Sequence, residues 1–126
     1  ALRQIIDFSQ PVAVLFVAVL HFLTNGEDPY NSVGVFRDHM SAGGYLAVSH
    51  ITSDGTDSAV ITAIRDAYAN ASAPAVFRTR EQIREFFTGF DLVKPGLTEI
   101  SRWRGNNRKT AELPALRFLG GVGVKR

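Results

Sequence analysis

The chain has 126 residues, 45% of them hydrophobic and 21% charged, and no cysteine. That composition excludes disorder, collagen-like repetition, a disulfide scaffold and any thiolate metal site. A chain of this length can bury a core of its own, and its net charge of +2 hides an asymmetry: residues 1–77 carry −4 and residues 78–126 carry +6.

The densest basic stretch is Arg102, Arg104, Arg108 and Lys109 around Trp103. An aromatic residue among cations is one pattern of a nucleic-acid surface, but a solvated loop gives the same pattern, and the acidic first half counts against nucleic acid. The longest apolar stretch, Pro11–Leu23, has thirteen residues, whereas a membrane-spanning helix needs about 20. The first ten residues include Asp7 and a single arginine, so no secretory leader is read there. A cytoplasmic protein without a membrane partner is the expectation, in keeping with the missing cysteines.

In chain order, residues 1–8 read as the end of a helix with Leu2, Ile5 and Ile6 on one face, broken at Ser9-Gln10-Pro11. Pro11–Leu20 is a near-continuous apolar run rich in valine, the pattern of a strand covered on both faces in a parallel sheet. Asp28-Pro29 then starts a helix with a capping carboxylate and a proline at the first position. Its stripe is Val33, Phe36 and Met40, and Gly43-Gly44 ends it. Tyr45–Ile51 is a second strand, and Ser58–Asn70 a helix with Val60, Ile61, Ile64, Ala67 and Tyr68 on one face.

Thr79 and Gln82 form a capping box opening a short helix with Ile83, Phe86 and Phe87. Phe90–Trp103 holds two extended pieces split by Lys94-Pro95-Gly96, and Leu116–Val124 is a last strand interrupted by glycines. Alternating strands and helices predict a mostly parallel α/β sheet, and the closing pair of strands predicts an antiparallel hairpin added at one edge.

Ligands in such sheets bind beyond the carboxyl ends of the strands. His21 and His50 fall at two such ends, and an imidazole there suits proton abstraction near neutral pH. His39 falls in the last turn of its helix, where it would complement the dipole. The three histidines with Asp28 and Asp54 offer no HxxxH or HExxH spacing, so no metal site is expected. No GxSxG turn is present, and the terminal GGVGVK lacks the following helix of a dinucleotide loop. Its glycines mark a bulge or a strand closely approached by another backbone.

Taken together, PVAVLFVAVLHFL, EDPYNSVGVFRDHM, GGYLAVSHIT, RTREQIREFFTGFDLVKPGL, SRWR and GVGVKR resemble, in order and over nearly the whole chain, the actinomycete DUF574 family of S-adenosylmethionine-dependent methyltransferases. The resemblance implies a class I, Rossmann-like methyltransferase sheet, mostly parallel with an antiparallel last strand. Pro11–Leu20 would be its fourth strand, Tyr45–Ile51 the fifth, Phe90–Trp103 the sixth and Leu116–Val124 the seventh. It also implies that a glycine-rich cofactor loop and an acidic residue for the ribose belong to earlier strands. Residues 1–126 are therefore expected to form the C-terminal portion of one methyltransferase domain, inactive alone. By the same resemblance, Val17, Ala18, Val19, Leu20, His21 and Phe22 face the sulfonium side of S-adenosylmethionine, and His21 serves as general base toward a small-molecule methyl acceptor. The rival reading is a non-enzymatic α/β module for interaction or oligomerisation. In either case strand 11–20 would offer a free edge, to be filled by the N-terminal half or by a second copy.

Overall fold

A computed structural model describes residues 2–103 and 116–126. Its sheet is built from β1 (Ala13–Val17), β2 (Tyr45–Thr52), β3 (Phe90–Leu92), β4 (Thr98–Glu99) and β5 (Arg117–Lys125). β1 pairs parallel with β2, and β5 runs antiparallel to β2, β3 and β4, giving the order β1-β2-β5-β3 with β4 also on β5. The last strand alone opposes the rest, as the resemblance implies. It does not form a hairpin at an edge, however: β5 is inserted between β2 and the β3/β4 pair.

The helices α1 (Pro29–His39), α2 (Ser58–Ala67) and α3 (Arg80–Arg84) cover the sheet from two sides. Alternation along β2 decides which side each residue serves. Leu46 and Val48 join Val33 of α1, Met40 at its C-cap and Ile83 of α3 in the larger core. Ile51 points the other way and packs with Ala75, Phe77 and, from α2, Ile61 and Ile64. The Asp28 carboxylate accepts from the Asn31 amide, and Thr79 and Gln82 close a reciprocal capping box. From β5, Lys125 Nζ donates to the carbonyls of Arg37 and Met40, both at 2.5 Å, satisfying the C-terminal end of α1.

Several boundaries move. The first apolar run is a strand only to Val17, and Leu20–Phe22 is a 3-10 turn. β1 is also not covered on both faces: Leu15 is 63% and Val17 59% exposed. The N-terminal segment holds a single 3-10 turn, Leu2–Gln4, and α2 ends at Ala67. The glycines of β5 do not interrupt it. A Cβ at Gly123 would stand 2.8 Å from that of Phe90 and 3.1 Å from the Phe87 ring, so the strand is bare there because the core leans on it. The basic residues Arg104, Arg108 and Lys109 lie outside the described residues, and Arg102 is exposed beside Glu99 at 3.7 Å.

Candidate functional site

Three elements converge at the carboxyl end of β1. The strand leaves the sheet at Ala18, whose φ of 53° is left-handed. For a residue with a Cβ this conformation costs about 1–2 kcal/mol. It is held by β2: the Ala18 amide donates to Ser49 Oγ at 2.9 Å and to the Ser49 carbonyl at 3.3 Å. The turn that follows sinks Leu20 completely into the core and lays the His21 ring 5.5 Å from His50, 4.4 Å from Phe22 and 6.1 Å from Phe118. The third element is the segment 75–78. Its Val76 amide donates to the His21 carbonyl at 2.7 Å, and Thr52 bridges Arg78 in parallel.

Arg78, only 2% exposed, is the feature that the sequence reading passed over. One guanidinium nitrogen donates to the Leu20 carbonyl at 3.1 Å and to His50 Nε2 at 2.9 Å. The other donates to the Leu23 carbonyl at 2.8 Å and to Asn25 Oδ1 at 3.0 Å. The rings of Tyr30 and Phe86 lie 5.9 and 5.7 Å from the guanidinium carbon. Burial pulls its pKa below the ordinary value, but a guanidinium stays charged in proteins. A usable signal was present in Ala75-Val76-Phe77-Arg78-Thr79: a cation caught between an apolar run and a helix cap.

His50 is not a base toward ligand. It is completely buried, because β2 runs two residues beyond it. Its Nδ1 donates to the Ile51 carbonyl at 2.6 Å, which leaves Nε2 as the bare acceptor for Arg78. The ring is therefore neutral, and burial depresses its pKa to about 4, with the Arg78 charge adding in the same direction. The unfolded chain takes up a proton near the ordinary 6.5. Stability from this ring is therefore full above that value and is lost as pH falls toward 4. We predict a loss of up to about 3 kcal/mol from this group between about pH 7 and pH 4. Urea unfolding should show it as a falling midpoint, flatter in His50→Gln; a native profile with no slope in that range would contradict it.

His21 is 5% exposed, and its pKa is lowered by burial first and then by the Arg78 charge. Its Nδ1 is buried and without a hydrogen-bond partner. Of the other positions read as cofactor contacts, Val17 and Val19 are 59% and 50% exposed at the end of β1, and Ala18 and Phe22 are half-buried. Leu20 is completely buried and its carbonyl is taken by Arg78 and the Leu23 amide, so it offers no surface to a ligand. His39 sits at the end of α1 with Nδ1 on the Val35 carbonyl at 2.7 Å. Among the described residues no group of three His, Cys, Asp or Glu is placed to hold a metal ion, and no helix is long and apolar enough to cross a membrane.

A parallel strand-helix-strand unit with an antiparallel strand inserted beside β2 forms part of a Rossmann-like sheet. The S-adenosyl methyltransferase family matches residues 1–126, and the chain belongs to that family. Among solved structures it is similar to a DUF574-family protein of Streptomyces avermitilis MA-4680. That match has 28% identity and a TM-score of 0.87, and covers 98% of this chain and 48% of that one. A candidate methyltransferase of Thermobifida fusca YX matches at 30% identity and a TM-score of 0.81, over 98% of this chain and 47% of that one. TehB of Haemophilus influenzae shares the fold alone, at 15% identity and a TM-score of 0.54 over 96% of this chain and 40% of that one. No curated protein matches. The chain spans about half the length of the first two solved structures.

Proposed function

We propose that this chain forms the acceptor side of an S-adenosylmethionine-dependent methyltransferase acting on a small molecule, with His21 as the general base. The observation that carries the reading is the turn at the end of β1. There a left-handed Ala18 and a buried imidazole with an unpartnered nitrogen lie where open α/β sheets bind ligands.

The residues fit one side of the cofactor. Val17 and Val19 offer exposed apolar surface, and Ala18 turns the backbone out of the sheet. Held against Val17, Ala18 and Val19, S-adenosylmethionine would supply a methyl group on a sulfonium sulfur, open to in-line displacement. The unpartnered His21 Nδ1 costs about 1–3 kcal/mol as it stands, and a donor on an incoming acceptor would satisfy it. His21 enters neutral because burial and the Arg78 charge disfavour its charged form. Its Nδ1 would take the proton of the acceptor's O–H or N–H as the methyl group passed to that oxygen or nitrogen and the sulfonium left as a neutral thioether. Phe22 lies half-buried beside the ring, 4.4 Å away. With Tyr68 at 5.5 Å it forms an aromatic wall suited to an apolar small molecule. Holding the partners in line supplies much of the acceleration.

The glycine-rich cofactor loop belongs, in this reading, to a further segment pairing with the free edge of β1. Among the described residues β1 pairs with β2 alone, which supports that completion. The test is transfer of labelled methyl from S-adenosylmethionine by the complete gene product to a panel of small phenols, alcohols and amines. The best acceptor then serves for the variants below. No transfer to any of them and no cofactor binding would overturn the reading.

A further inference from the structure

Among the described residues Arg78 is the one lysine or arginine that is buried, and none of its hydrogen-bond partners is a carboxylate. A buried cation among neutral acceptors is an expensive source of stability. What the planar fork supplies is geometry. Three of its acceptors, the carbonyls of Leu20 and Leu23 and the Asn25 side chain, belong to the segment that carries His21, and two of them flank His21 and Phe22 directly. The fourth is His50, which cannot rotate because its other nitrogen is tied to Ile51. The guanidinium is thus seated on β2 and grips the turn from there. Upstream, Ala18 is held separately, by Ser49.

We propose that Arg78 is the positioning residue of the transfer site: fixed to β2 through His50, it holds the segment 20–25 so that the His21 imidazole meets the methyl acceptor. This rests on the reading of His21 as the base. Because Val17 and Ala18 do not depend on it, loss of the fork should disturb catalysis more than cofactor binding.

Arg78→Lys keeps the charge and loses the planar fork. In the complete gene product, with the best acceptor of the panel, turnover is expected to fall about tenfold while S-adenosylmethionine affinity stays within about threefold. Hydrogen exchange of the Val76 amide, bonded to the His21 carbonyl, should quicken about tenfold relative to the Ala18 amide. Added to His21→Ala, the Arg78 change should cost nothing further, since the residue it positions is gone. Unchanged turnover in Arg78→Lys, equal quickening at both amides, or losses that multiply in the double variant would each overturn the proposal. If Arg78→Lys does not fold, His50→Leu, which removes the acceptor and leaves the cation, is read by the same criteria. Full turnover in His21→Ala would overturn the base assignment, and with it the reason for holding the turn.

Discussion

Replacing His21 by alanine is expected to lower methyl-transfer turnover about a hundredfold while leaving S-adenosylmethionine affinity within about threefold. The two quantities separate because the two roles fall on different atoms. Cofactor contact is assigned to the exposed side chains of Val17 and Val19 and to the backbone turning at Ala18, which Ser49 anchors independently of the imidazole. Proton removal is assigned to a ring that is neutral and has one nitrogen free. His21→Gln, which keeps a polar side chain but no basic nitrogen, should be as slow as His21→Ala while preserving more of the packing against Phe22 and Phe118. Turnover in either variant equal to that of the native protein would remove His21 from the mechanism.

Phe86→Ala is expected to lower the free energy of unfolding by about 3–5 kcal/mol. The Phe86 ring is 2% exposed and stacks on Tyr30 at 4.4 Å with planes 14° apart. His50 lies 6.0 Å from the same ring and the Arg78 guanidinium carbon 5.7 Å from it. Tyr30 in turn ties α1 to α3 by donating to the Gln82 carbonyl at 2.9 Å. Truncation therefore opens a cavity under the Arg78–His50 pair as well as in the apolar core, and the collapse available to neighbours is limited by the hydrogen bonds of that pair. Denaturant unfolding measures it, with Phe86→Leu as the milder comparison. A loss under about 1 kcal/mol would show that the ring is not a keystone of this layer.

Where local signals agree with their tertiary setting, the sequence reads well. Tyr45–Ile51 differs from β2 by one residue because an apolar run bounded by Gly43-Gly44 and a polar loop has little freedom to be anything else. Asp28-Pro29 and the Thr79–Gln82 box start helices where expected, since caps act through bonds within a few residues. The end of β1 was misplaced for a physical reason. The apolar run continues through Leu20, but burial begins only in the turn at Leu20 and His21, and an alanine gives no warning of a left-handed backbone. β5 was put at an edge because strand order is set by partners far along the chain. Arg78 stayed invisible for the same reason: its bonds reach back to residues 20–25 and to His50, and a cation in sequence reads as solvated. His50 looked available because the strand was ended one residue early.

The central claim is that the turn ending β1 is the ligand-facing surface of a methyltransferase site. It is tested most directly by titrating S-adenosylmethionine into the isotope-labelled complete gene product and following backbone amides. The account predicts saturable shifts concentrated at Val17, Ala18, Val19, His21 and Phe22. Saturation that leaves these amides unmoved, or shifts gathered at the opposite edge of the sheet around β3, would contradict it.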